Sequence, residues 1–298
     1  MRKFSLIVVV LLVTTIFPHS NLMARVNDIS DLAGKTLKVV LNGDNSLADL
    51  MIKNTVETHW NVTPYEFINQ SDFKEFSSDT SLFFLMRVQE YFPKEDTPYA
   101  TFLVLLSPDD KSNGNIDDMH LYFRMIISAN ESGSEELPFG IGSEGELYAT
   151  NFYPLYIKAI HSVLIEKIGK KSNIFDKFQN FISEEIDNRE QLKGKTLYIN
   201  KGELSSKFNN SILEEQGGEL VKVADGDDIE DLIANGEDVV VSYLLNVSSK
   251  WESFSYKILI NAKSGYLYYY KRDKLFFGKA TGFSNSDVKS YISNCYGD

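Results

Sequence analysis

Cysteine is almost missing from this chain. Cys295 is the single one in 298 residues, so no intramolecular disulfide can form. A chain of this length can bury an adequate core without such bridges. Positive charge is also scarce: 30 Lys and Arg face 42 Asp and Glu, a formal net charge of −12. That balance disfavours nucleic acid and anionic membrane surfaces as partners. Motifs for catalysis are missing too. There is no H-E-x-x-H and no serine in a G-x-S-x-G elbow. His59, His120 and His161 stand in no metal-ligand spacing, and no cofactor is expected. Beyond the first residues, no stretch is long and apolar enough to span a bilayer.

What is present begins with an export signature. Arg2 and Lys3 precede the apolar run Phe4 to Phe17, and Pro18 and small or polar residues lead to Ala24. This pattern predicts a signal peptide over 1–24, cleaved near Ala24. The apolar run is about 14 residues, short of the roughly 20 that a spanning helix needs. The expected mature chain is periplasmic or secreted and is not an integral membrane protein. No Cys lies near the cleavage site, which excludes a bacterial lipoprotein anchor. One thiol in an exported protein fits a bacterial envelope better than a disulfide-forming secretory pathway.

The chain repeats itself. Leu32-Ala33-Gly34-Lys35-Thr36-Leu37 returns 160 residues later as Leu192-Lys193-Gly194-Lys195-Thr196-Leu197. Each copy is a Gly turn running into a strand. From 35, the pattern predicts a strand, a helix over 47–60, a strand at 64–68 and a short helix from Ser71 or Asp72. A buried strand follows at 81–88, then a hairpin of 99–106 and 120–127 and a helix from Phe152 to Ile168. A second helix from Ser172 would carry Ile174 to Ile186 on one face. From 195 the order recurs: strand, helix over 203–216, strand at 219–224, and a helix capped by Asp227 or Asp228. A strand at 238–245, the hairpin 254–261 and 266–271, and a helix capped at Ser284 to Ser286 complete it. The prediction is an α/β fold of two tandem β-α-β-α-β-β-β-α units, 25–187 and 188–298. Each is a mixed sheet with helices packed on it and right-handed crossovers.

The Gly-Lys-Thr-Leu openings at 34–37 and 194–197 carry a resemblance, as do Asp-Val-Val-Val at 238–241 and Ile-Leu-Ile-Asn-Ala-Lys-Ser-Gly-Tyr-Leu-Tyr at 258–268. The chain resembles an uncharacterised family of exported bacterial tandem α/β proteins. Its topology is similar to the N-terminal domain of the periplasmic protein that assists the Tol system. The resemblance implies a fold and transfers no active site.

Several motifs are weighed and set aside. Gly140-Ile141-Gly142-Ser143-Glu144-Gly145 matches a dinucleotide fingerprint but follows a polar segment instead of a strand. Asp109 to His120 partly fits a calcium loop, with Lys111 at a ligand position and His120 where the closing Glu belongs. Asp225, Asp227, Asp228, Glu230 and Asp231 read as helix-start acids that could also hold a divalent cation. Cys295 falls on the apolar face of the last helix, as a small hydrophobe. One stretch stands out as a possible binding surface: Tyr266, Tyr268 and Tyr270 should share one strand face, and tyrosine is enriched at interfaces. The expected function is a non-enzymatic binding or interaction module of the envelope, with an envelope protein or a glycan as partner. The competing expectation is a hydrolase or metal-dependent enzyme that brings His120 or His161 together with Asp, Glu or Ser only in the fold.

Overall fold

The computed structural model describes residues 29–43, 46–92, 95, 98–129, 148–168, 185–248, 252–275 and 281–297. The expected signal peptide, the glycines at 140–145 and the expected helix from Ser172, up to residue 184, lie outside the described residues. Among the described residues, no helix is long and apolar enough to cross a membrane.

The first half opens with β1 (Thr36–Leu41), whose apolar run is covered on both faces. Ser46 then caps α1 (Leu47–His59) by accepting a hydrogen bond from the Asp49 N–H at 3.3 Å. β2 (Tyr65–Asn69), the short α2 (Phe73–Phe76) and three long strands follow: β3 (Leu82–Tyr91), β4 (Pro98–Ser107) and β5 (His120–Ala129). The sheet order is β2-β1-β3-β4-β5, with β1 parallel to β2 and β3 and antiparallel hairpin pairs beyond. α3 (Phe152–Lys167) comes next.

The second half contains β6 (Glu185–Asp187), β7 (Leu197–Asn200), β8 (Val221–Ala224), α4 (Gly226–Ala234), β9 (Val240–Ser248), β10 (Ser253–Asn261) and β11 (Leu267–Lys274). α5 (Asn285–Tyr296) closes it behind a capping box of Ser284 and Asp287. Its sheet reads β8-β7-β9-β10-β11-β6, the order of the first sheet with β6 added at one edge. The fold is therefore α/β with two mixed sheets; β6, within the expected first unit of 25–187, joins the second sheet, and among the described residues the other strands stay in the sheet of their own half.

The two sheets share one buried core. Phe102 and Tyr256 meet edge to face with ring centroids 6.2 Å apart. Phe92 stacks on Phe254 at the same distance. Between them, Arg124 reaches Glu90 through Nε at 2.8 Å and Nη2 at 2.6 Å, and the Tyr99 hydroxyl donates to Glu90 at 2.6 Å. α3 is clamped into the same seam. Its Phe152 stacks flat on Tyr243 of β9 at 3.9 Å, and the Tyr243 hydroxyl donates to the Ile127 carbonyl at 2.5 Å. The turn after β10 presses on α3 so closely that a Cβ at Gly265 would lie 2.1 Å from the Leu155 carbonyl oxygen; φ is +72° there. Only glycine fits such a place. A second core lies on the outer face of the second sheet, under α5.

Four expectations are corrected. The segment 203–216 is not mostly helix; it holds a 3₁₀ turn (Lys201–Glu203) and one wide turn (Leu213–Gly217). Leu204 instead bridges to Phe283. The Ser205 N–H donates to the Phe283 carbonyl at 3.0 Å and the Phe283 N–H to the Glu203 carbonyl at 2.8 Å, which holds the backbone extended where a helix would coil it. Ile186 is not on a helix. It sits in β6 and pairs with Tyr270, covering an edge of β11 that would otherwise be open. α4 starts two or three residues earlier than expected, with Asp225 at the N-cap and no side-chain cap bond.

The fourth correction concerns the tyrosines. A register shift in the β10–β11 ladder pairs Leu259 with Tyr269 but Ile260 with Leu267. The extra residue is Tyr268, and it breaks the alternation. Tyr268 and Tyr269 both enter the outer core, Tyr270 enters the shared core, and Tyr266 precedes the strand. Tyr266, Tyr268 and Tyr270 form no common face, and the latter two are buried at 5% and 1% exposure. The hairpin faces are covered on both sides, and the space between the two halves is packed.

Candidate functional site

With the sheet faces buried, chemistry is left to the strand ends. In parallel sheets of order 2-1-3, ligands lie at the carboxyl ends of the strands, where the connections diverge to opposite sides. For the second sheet that place is the end of β7, between β8 and β9.

A connected polar group occupies it. The Asn200 N–H donates to Ser242 Oγ at 2.9 Å, and Ser242 Oγ donates to Glu203 Oε2 at 2.5 Å. The Leu244 N–H donates to Glu203 Oε1 at 2.9 Å. Asn200 Nδ2 donates to the Tyr148 hydroxyl at 3.1 Å, and Asn200 Oδ1 accepts from the Gly202 N–H at 2.9 Å. Both oxygens of Glu203 are hydrogen-bonded, yet among the described residues no cation faces them. Burial therefore dominates and pushes the carboxyl up to about 8, against the pull of Ser242 and Leu244. At neutral pH Glu203 holds its proton.

The start of α4 borders this group. A Cβ on Gly226 would lie 3.7 Å from Asn200 Nδ2 and 3.9 Å from the Tyr148 ring. Acids gather on that side. Glu230 is raised by partial burial and by Asp227, and Tyr148 is held un-ionised by burial with Glu203 and Glu230 beside it. Lys201 reaches Asp225 at 3.8 Å. A groove of about 350 Å³ lies along β8 and α4, lined by Tyr198, Lys222, Asp228, Asp231 and Glu237 among others and not by Tyr148, Asn200, Glu203 or Ser242. The arrangement suits a ligand that brings positive charge to a crevice of acids and one aromatic ring.

The acid cluster singled out in sequence thus stands at the rim, while the deep residues Asn200, Glu203, Ser242 and Tyr148 were missed. A signal existed: Ser242 interrupts an otherwise apolar run, Val239 to Leu245, and a polar residue inside a buried strand needs a partner.

The histidines fall elsewhere. His120 Nε2 lies 3.3 Å from Asp109 Oδ2, and His120 is the cross-strand partner of Ser107. The Ser107 hydroxyl accepts from Lys35 Nζ at 2.7 Å and donates to the Leu82 carbonyl at 3.2 Å. Serine, histidine and acid do meet here. But Ser107 has no exposed surface, so a substrate carbonyl has no approach to its oxygen. In the 109–120 loop, Asp109 is engaged by His120 and by the Lys111 N–H at 2.9 Å. Among the described residues no three His, Cys, Asp or Glu side chains converge on a common metal position. Cys295 is buried in the outer core, and burial pushes its thiol up to about 11.

Comparison with protein-family models, with curated proteins and with solved structures finds no match.

Proposed function

We propose that this chain is an exported binding module of the bacterial envelope, and that its ligand presents a positively charged group to the carboxyl end of β7. The observation that carries the reading is Glu203. A buried carboxyl with two donors and, among the described residues, no cation is costly, and strongly shifted groups gather at functional sites. The rim acids, the Tyr148 ring and the net charge of −12 favour the same class of partner, a basic segment of an envelope protein. Export rests on Arg2, Lys3 and the apolar run that follows. The buried Ser107 weighs against the hydrolase reading.

A pull-down from envelope extract tests this, with Asp227→Lys/Glu230→Lys set against wild type and a glycan array beside it. Wild type should retain a basic protein that the variant loses, and retention should fall as salt rises. Capture that survives both charge reversal and salt, or a glycan hit indifferent to them, would overturn the proposal. Labelling of Ser107 by a serine-reactive phosphonate would restore the enzymatic alternative.

A further inference from the structure

One edge of the second sheet stands open. Among the described residues β8 pairs only with β7 and is the outermost strand. The Leu197 N–H donates to the Leu220 carbonyl at 2.7 Å, and Leu197 opposes Val221. Along one side of a parallel pair, bonded and unbonded residues alternate. Lys222 and Ala224 therefore turn their N–H groups toward β7, and Val221 and Val223 turn theirs away. Among the described residues no hydrogen bond reaches the main chain of Val221 or Val223 from the outer side.

Other edges are treated differently. β6 closes the edge of β11. At β5, the Tyr156 and Tyr243 hydroxyls donate to the Ile126 and Ile127 carbonyls. β2 is outermost in the first sheet, but it contributes nothing to the acid groove described above. That groove belongs to β8. Lys222 and Val223 point to opposite faces of the strand, yet both line it, so it runs past the strand edge. Its far wall carries Asp228 and Asp231 of α4, which are exposed and share a helix face at a spacing of three residues. Tyr198 and Glu237 line it too. Three carboxylates against one lysine leave the groove net negative.

We propose, resting on the basic partner inferred above, that an extended basic segment adds as a strand to the free edge of β8, with its cationic side chains in the groove along α4. A free strand edge with a groove between it and a helix is the arrangement for strand addition. The main chain of the incoming segment supplies affinity, and pockets for alternate side chains supply specificity. Val221 and Val223 offer two N–H groups and two carbonyls to that main chain. Asp228, Asp231 and Glu237 select lysine or arginine at every second position.

The probe is a short peptide of alternating Lys and Val, whose lysines fall on one face when extended. Amide hydrogen exchange of the full chain, read by NMR, should show Val221 and Val223 protected by the peptide. Lys222 and Ala224, already bonded to β7, should change little. N-methylating the peptide residues whose N–H groups face β8, either the lysines or the valines, should weaken binding about tenfold, the scale of one hydrogen bond lost. N-methylating the other set should not. Asp231→Lys should weaken binding, and added salt should do the same. Charge-dependent binding that leaves both amides exchanging as before and tolerates both N-methylations overturns strand addition while the basic partner stands. Equal binding of a Glu-Val peptide overturns the basic partner and strand addition with it. No binding of the Lys-Val peptide at millimolar concentration also overturns the proposal.

Discussion

The carboxyl ends of β1 and β7 hold the same kind of group in different states. At β1, Asp49 accepts the N–H groups of Asn42 at 3.2 Å and Gly43 at 3.1 Å, and the Arg87 guanidinium pairs with it in the interior. At β7, Glu203 accepts Ser242 and Leu244 and, among the described residues, meets no cation. The pairing registers trace the difference to one position. Leu37 opposes Phe83 and Leu197 opposes Val240, so Arg87 in β3 corresponds to Leu244 in β9. There the second half offers a backbone N–H in place of a guanidinium. One strand end is neutralised from within, and the other is left to hold a proton or to receive charge from outside.

Breaking the first end should have the largest effect. Arg87→Met strands Asp49 in the interior and should cost about 3–5 kcal/mol in denaturant unfolding. Asp49→Asn in the same chain should recover much of that. Recovery failing in the double variant would mean that the pair is not the cause.

Of similar size, but outside both ends, is Tyr268→Ala. The side chain fills the outer core beneath α5, and its loss should cost about 3–5 kcal/mol. A variant that weakens partner capture with stability unchanged would contradict that placement.

An effect of comparable size, but spread over pH, distinguishes the β7 end. The folded state holds the Glu203 proton up to about 8, whereas the unfolded chain releases it near the ordinary carboxyl value of 4.5. Stability should therefore fall as pH rises between those values, by about 1.4 kcal/mol per unit, and level off above them. Glu203→Gln should remove this slope and be more stable than wild type at pH 9. An identical slope in the variant would show that Glu203 is not its source.

The smallest effect belongs to the rim. Tyr148→Phe removes the partner of Asn200 Nδ2 and should cost about 1 kcal/mol. Charge reversal at the exposed Asp227 should leave stability nearly unchanged while altering capture, and reversal at the half-buried Glu230 should cost little more.

The fold was legible where a single local rule sufficed. The Gly-Lys-Thr-Leu turns, the continuous apolar run of β3 and the Ser284 cap each mark an element without help from distant residues. It was illegible where distant chain decides. Phe283 straightens 203–205, a bulge at Tyr268 breaks a periodicity that sequence alone shows as intact, and Ile186 joins a strand 84 residues further along, at Tyr270. The candidate site was half legible. Asp227, Asp228 and Glu230 announce themselves as a run, but Tyr148, Asn200, Glu203 and Ser242 come from three separate segments and meet only through the sheet register.

β6 has a consequence for how the chain can be cut. The second sheet begins its hydrogen bonding at Glu185, before the Gly-Lys-Thr-Leu opening that marks the second half in sequence. A fragment starting at Asn188 would leave Tyr269, Tyr270 and Lys271 without their neighbour strand. The bare edge would then be a template for a second molecule. During synthesis Glu185, Ile186 and Asp187 emerge long before β11 exists to receive them. They must wait, unpaired, until almost the whole polypeptide has been made. The second half thus carries its own seal at the front, and its edge is closed among the last events of folding.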